Sequence, residues 1–155
     1  MKGNDKLIAE LNARLSEELG AISQYFVHAE MCENWGYDTL ATAIKKRSIQ
    51  EMKHAEKLIE RILFLEGKPV LTKLGPVTIG KKVEEMHKKD WNAEADAIKK
   101  YNDTIKLAAE VGDNNTKALL EAILKEEEEH IDWLEEQQDQ IEQIGIQIYL
   151  AEKIG

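Results

Sequence analysis

Apolar residues recur along this chain at steps of three and four, the spacing that puts them on one face of a helix. From Asp5 to Trp35 they fall at Ile8, Leu11, Leu15, Ile22, Tyr25 and Ala29, with Asn4 or Asp5 placed to cap the start. Gly36 and Tyr37 break the pattern. Asp38 then stands where it can cap a second helix, which runs to about Glu66 and stops at Gly67. A third helix is expected from about Lys82 to Val111, ended by Gly112. The fourth starts after Asp113 and continues to about Ile144, ended by Gly145. A short fifth segment, Ile146 to Lys153, completes the chain.

The connections carry the topology. Short turns join the first helix to the second and the third to the fourth, which makes two antiparallel hairpins. Between the hairpins lies Lys68 to Lys81, with Pro69, Gly75, Pro76 and Gly80. A helix of about 30 residues is roughly 45 Å long. Some fourteen extended residues, at roughly 3.3 Å each, run back along that length. The expectation is all-α: a four-helix bundle with one long crossover and a short C-terminal fifth helix, a single domain over residues 1–155. Composition agrees, since only two of 155 residues are proline and aromatics are 6%, while Ala, Glu, Lys, Leu and Ile dominate.

Charge and cysteine usage narrow the chemistry. A net charge of −9 argues against a nucleic-acid partner. No leader pattern or long apolar run is visible, which points to the cytoplasm and away from a membrane. The single cysteine, Cys32, excludes an internal disulfide or a cysteine-built metal site from one chain, and reads as a buried, inert thiol.

The second helix of each hairpin carries a Glu-x-x-His motif, Glu51 with His54 and Glu127 with His130. Residues at i and i+3 share a helix face, so each pair can chelate one metal region. The first helix of each hairpin places one Glu inside its apolar stripe. Glu18 lies between Leu15 and Ile22, and Glu94 between Trp91 and Ile98. Glu18 to Glu51 and Glu94 to Glu127 both span 33 residues, and Glu18 to His54 and Glu94 to His130 both span 36. All three candidates therefore repeat at an offset of 76, which implies two hairpins related by a pseudo-two-fold axis.

Four carboxylates buried together would repel one another, and two divalent cations would neutralise them. Oxygen and imidazole donors suit iron or manganese. By symmetry, Glu51 and Glu127 bridge two metals, Glu18 with His54 completes one, and Glu94 with His130 the other. Tyr25, seven residues after Glu18, shares its face and can donate a hydrogen bond there. A third motif, Glu84-x-x-His87, has no counterpart at the offset and reads as surface. The run Glu126 to Glu129 reads as solvated charge except for Glu127. His28 reads as a surface or interface histidine.

The chain resembles bacterioferritins over nearly its whole length. The resemblance rests on Met1-Lys2-Gly3, Gln24-Tyr25-Phe26, Asn34-Trp35-Gly36, Glu51-Met52-Lys53-His54-Ala55, Arg61 to Gly67, and His130-Ile131-Asp132-Trp133-Leu134. It implies a ferritin-like fold whose ferroxidase ligands, for two iron ions per subunit, are Glu18, Glu51, His54, Glu94, Glu127 and His130. It implies a homo-oligomeric 24-subunit cage that oxidises ferrous iron with dioxygen or hydrogen peroxide and stores ferric mineral. It also implies haem b at a two-fold subunit interface with Met52 as axial ligand, Phe26, Ile49 and Leu19 nearby, and a ferredoxin-type electron donor. Some members carry a further iron site near positions 46–50, built from a His and an acid. Here the stretch reads Lys46, Arg47, Ser48, Ile49, Gln50, two cations and an amide, which will not hold ferrous iron. Lys45 replaces an aromatic residue often found near the haem edge.

Other functions compete. A non-storage di-metal peroxidase or catalase uses the same ligand set. A DNA-protecting mini-ferritin is opposed by the negative charge. A metal-free helical assembly module leaves four core Glu residues unexplained.

Overall fold

Five helices make up the computed structural model, which describes residues 1–155. They are α1 (Asp5–Asn34), α2 (Asp38–Phe64), α3 (Val83–Glu110), α4 (Asn114–Ile144) and α5 (Ile146–Ala151). The helices α1 and α2 pack as one hairpin and α3 and α4 as the other, while α1 meets α3 and α2 meets α4 between the hairpins.

Local chemistry accounts for most of the boundaries. Asn4 caps α1, its Oδ1 accepting from the Leu7 N–H at 3.0 Å. Asp113 caps α4 in the same way, accepting from the Thr116 N–H at 3.0 Å. At α2 the expected cap is displaced by one residue. Tyr37 takes the cap position without a side-chain bond, and Asp38 is the first helical residue, where its charge faces the positive end of the helix dipole. Gly36 and Gly112 adopt φ of 82° and 75°, which lets the next N–H turn back onto α1 or α3 and satisfy a terminal carbonyl. The end of α2 comes earlier than expected, at Phe64. Glu66 rather than a glycine takes the left-handed conformation there, with φ of 62°, and the Gly67 N–H bonds back to the Ile62 carbonyl at 2.9 Å.

The core divides into two apolar clusters. One comprises Leu7, Leu11 and Leu15 of α1 with Leu58 and Ile62 of α2, Tyr101 of α3, and Leu120 and Ile123 of α4. The other comprises Tyr25, Ala29 and Cys32 of α1 with Leu40 and Ile44 of α2, Val83 and Met86 of α3, and Tyr149 of α5. Glu18 on α1, Glu51 and His54 on α2, and Glu94 on α3 fall between the stretches that feed these two clusters, and Glu127 and His130 follow Leu120 and Ile123 on α4. Cys32 is buried, with its thiol 3.9 Å from Met86 Sδ, and burial followed by the Asp90 charge pushes it up to about 11. Its burial is as expected.

A polar stripe on α1, repeating every fourth residue, straps down the crossover. Asn12 donates to the Lys68 carbonyl at 3.1 Å and accepts from the Val70 N–H at 2.9 Å. Ser16 donates to the Lys73 carbonyl at 3.1 Å, and its own carbonyl accepts from the Gly75 N–H at 2.8 Å. Gln24 accepts from the Thr78 N–H and His28 from the Gly80 N–H, both at 3.0 Å. The fifth member of the stripe, Gly20, brings the helix backbone against Gly75.

His28 is therefore wholly buried rather than at the surface, with its Nδ1 2.9 Å from Asp90 on α3. Burying these backbone amides requires acceptors, and α1 supplies them at the i+4 period. His87 is likewise buried. It anchors α5, because Tyr149 donates to Gln137 at 2.7 Å and its oxygen lies 3.0 Å from His87 Nε2. Burial, then the Arg47 charge, holds His87 down to about 3, so it is neutral.

A methyl group at Gly75 would sit 2.8 Å from the Ser16 carbonyl oxygen and 2.9 Å from Glu17 Cα. Gly75→Ala should therefore destabilise the fold by about 1–3 kcal/mol. A lowered denaturant midpoint would show this, and an unchanged midpoint would mean that the crossover is not held tightly at this point.

Candidate metal centre

Glu18 reaches the bundle centre from α1, Glu51 and His54 from α2, Glu94 from α3, and Glu127 and His130 from α4. None is more than 5% exposed. The structure brings all six together in two overlapping groups. Glu18, Glu51, His54 and Glu127 form one, and Glu51, Glu94, Glu127 and His130 the other, with one donor atom from each member within 4.8 Å of the rest. Glu51 and Glu127 belong to both groups, which is the arrangement of bridging ligands. His54 Nδ1 lies 2.9 Å from Glu127, 3.4 Å from Glu51 and 3.6 Å from Glu18. His130 Nδ1 lies 3.0 Å from Glu51 and 3.6 Å from Glu94.

Eight buried side-chain polar atoms have no hydrogen-bond partner, and six of them are one atom from each of these six residues. They are Oε2 of Glu18 and Glu94, Oε1 of Glu51 and Glu127, and Nδ1 of the two histidines. Buried polar atoms are rarely left unpaired. Six converging lone-pair donors meet the requirement of two divalent cations, so the residues fit such ions.

Surrounding groups hold these donors in place. Tyr25 donates to Glu94, as anticipated. Tyr101 donates to Glu18 at 2.5 Å, and sequence reasoning missed it. The signal was available, since Tyr101 is Tyr25 displaced by the same 76 residues. Gln50 and Glu126 form another missed pair with that offset. Glu126 lies 2.6 Å from His54 Nε2, Gln50 Oε1 lies 2.5 Å from His130 Nε2, and Gln50 donates to Glu126 at 3.1 Å. When each Nε2–H donates outward, each Nδ1 lone pair points into the site. Glu126 is thus engaged rather than merely solvated.

Arg47, read from the sequence only as a cation unfit to hold iron, is buried, and its guanidinium pairs with Glu94 at 2.9 Å. It also lies over the rings of Tyr25 and Trp133, at 4.8 and 5.6 Å from their centroids. Nothing in the spacing signalled this, because position 123 is Ile. A cavity of about 70 Å³ between α1 and α3, roofed by Pro76, reaches Glu18, Glu51, Glu94 and Glu127, and Glu17 and Asp96 also line it.

The six residues share protons. Burial, then the charge of Glu51, pushes Glu18 well above the usual carboxylate range. Burial and the other three carboxylates do the same to Glu127. Burial also acts against Glu51, but its contacts with Glu18, His130 and His54 outweigh that and hold it well below. For Glu94 burial is likewise outweighed, by contacts with Glu127 and His130 and by the Arg47 charge. Burial opposes charge on His54, yet contacts with Glu18 and Glu51 push it up to about 11. His130 is raised in the same way by Glu51 and Glu94.

The chain has the fold and buried carboxylate–histidine cluster of a ferritin-like protein, and the Ferritin-like domain family matches residues 8–144. The chain is 46% identical to the bacterioferritin of Rhodobacter capsulatus, covering 95% of this chain and 91% of that protein. It is 42% identical to the bacterioferritin of Brucella melitensis biotype 1, covering 96% and 92%. The bacterioferritin of Mycobacterium bovis is 38% identical over 100% of this chain and 98% of its own length. The chain belongs to the bacterioferritin family.

A cation bound through these residues competes with protons for Glu18, Glu127 and the two imidazoles, all of which are raised. Binding of a divalent cation should therefore release protons into a weakly buffered solution, and affinity should fall as the pH is lowered. Binding without proton release would contradict the protonation pattern described for the site.

Proposed function

We propose that the protein is an iron-storage ferroxidase. In this reading Glu18, Glu51, His54, Glu94, Glu127 and His130 bind ferrous iron for oxidation by dioxygen or hydrogen peroxide, and the ferric product is kept as mineral inside a cage of many identical subunits, 24 by resemblance to the family. The observation that carries it is the convergence of six orphaned donor atoms, one from each residue, in a buried layer. The relatives' names support the assignment to storage.

The residues divide the work by position. Glu51 and Glu127, shared by both donor groups, bridge the two iron positions. Glu18 with His54 and Glu94 with His130 complete them. Tyr101 and Tyr25 each fix one oxygen of Glu18 and Glu94, leaving the other free to bind. Glu126 and Gln50 hold the imidazole tautomers. Four ionised carboxylates balance two divalent cations, so together they carry no net charge once loaded, which lowers the cost of burial. Two ferrous ions supply the two electrons that the oxidant takes up. The cavity beneath Pro76 offers a path to the centre past Glu17 and Asp96. The substrate cations are drawn to that negative charge.

Met52 lies outside this layer. It is 53% exposed, and Phe26 and Ile49 are exposed to a similar degree, Ile49 three residues before it on α2. One soft sulfur per chain fits haem b shared between two copies, with Met52 as its axial ligand, and the haem would supply electron transfer. A ferredoxin-type protein is the proposed donor for iron release, and the cytoplasm the proposed location.

Ferrous iron added in air to the metal-stripped protein should be kept soluble far beyond about two irons per chain, the capacity of a di-iron site alone. Saturation near that value would overturn storage and favour a non-storage di-metal enzyme. Glu18→Ala and His130→Ala should each abolish fast oxidation while assembly persists, and unchanged rates in both would remove the site assignment. Met52→Leu should abolish haem absorbance and leave ferrous oxidation intact. A normal haem spectrum in that variant would refute the ligand.

A further inference from the structure

The two halves of the centre are near-copies of one another at the offset of 76. Glu18 corresponds to Glu94, Glu51 to Glu127, His54 to His130, and Tyr25 to Tyr101. Each tyrosine serves the outer carboxylate of the opposite hairpin, so the hydrogen bonding is matched. Charge is not matched. Arg47 has Ile123 as its counterpart, an apolar residue buried in the core. Gln50 has Glu126 as its counterpart.

We propose that Arg47 makes the two cation positions unequal, so that a divalent cation is held more tightly at Glu18 and His54 than at Glu94 and His130. The inference rests on reading the six residues as a two-cation centre.

Both departures from symmetry act in the same direction. Arg47 places a buried positive charge 2.9 Å from Glu94, and Glu94 is the only carboxylate it pairs with. Its remaining surroundings are the faces of Tyr25 and Trp133, and its Nε has no partner. Of the four central carboxylates, Glu94 is thus the one that meets this charge directly. There, on the oxygen that Tyr25 also holds, it draws carboxylate charge away from the free oxygen and repels an incoming cation, in surroundings where charge is poorly screened. No arginine or lysine pairs with Glu18, whose fixed oxygen is met by the neutral Tyr101 hydroxyl. On the far side of the histidines the contrast repeats. The anionic Glu126 backs His54, which strengthens its Nδ1 as a donor, whereas the neutral amide oxygen of Gln50 backs His130. The centre thus fills in order, first at Glu18 and His54, and passes through a half-loaded state in which the Glu94 position is open.

Cobalt(II) titrated into the metal-stripped protein, followed by its d–d absorbance and by equilibrium dialysis, tests this without any turnover. Two steps are expected, the second at least about tenfold weaker, which is the lower end of the effect of groups that contact a metal ligand. His54→Ala should remove the tight step, and His130→Ala should keep it and lose the weak one. Arg47→Gln should strengthen the second step until the two nearly merge, while Arg47→Lys, which keeps the charge, should leave them apart. Two equal steps in the native protein would overturn the proposal while leaving the two-cation centre standing. So would loss of the weak step in His54→Ala, or an Arg47→Gln titration identical to the native one. Should Arg47→Gln not fold, the native protein and the two histidine variants decide the matter. Failure of the native protein to bind cobalt at all would remove the centre itself, and the proposal with it.

Discussion

Four carboxylates and two imidazoles buried at one level of a helical bundle form the constraint that organises this protein. Ionised groups removed from water are costly unless they are compensated, and here the compensation comes from every helix of the bundle. Tyr25 and Tyr101 each tie down an outer carboxylate across the hairpin interface. Glu126 and Gln50 hold the outward nitrogens of the imidazoles, and Arg47 neutralises Glu94. What stays unpaired is one donor atom on each of the six residues.

The apolar clusters on either side give that layer its precision. A helix that slid by one turn would carry a carboxylate into the leucines of one cluster and lift a leucine into the polar layer. Both changes are unfavourable, so the register of the bundle and the position of the donors are set together. The crossover adds a second restraint. Its backbone amides and carbonyls bond to a stripe on α1 that runs from Asn12 through Ser16 and Gly20 to Gln24 and His28. The same helix carries Glu18. Strapping the crossover to α1 therefore also roofs the cavity that leads toward the centre, with Pro76 on its wall.

Near-duplication of the two hairpins explains why so much of the centre is paired, and the departures from duplication explain its polarity. Ligands, tyrosines and the groups behind the histidines all repeat at one offset, yet the repeat is chemically altered at Gln50 and Glu126 and lost at Arg47. The outer surface follows a different logic. Met52, one residue beyond Glu51, is turned away from the bundle by the helical repeat of about 100° per residue and is exposed, as are Phe26 and Ile49. A single helix thus serves the buried centre and the surface on which the proposed haem would sit.

The chain's own order of residues was sufficient for the helices, the hairpins, the crossover and the six central donors, because period, spacing and a repeated offset are properties of sequence. It also contained Tyr101 and the Gln50–Glu126 pair, which the offset would have located had it been applied beyond the ligands. Burial is another matter. His28, His87 and Arg47 carry polar labels that say surface in a linear reading. All three are buried, because the crossover needed an acceptor for the Gly80 amide, α5 needed an anchor for the Tyr149 hydroxyl, and Glu94 stood within reach of a guanidinium. Each of those partners lies 47 or more residues away along the chain. Only packing brings such groups together, and so only the tertiary structure decided which polar side chains lie inside and which half of the centre bears a positive charge.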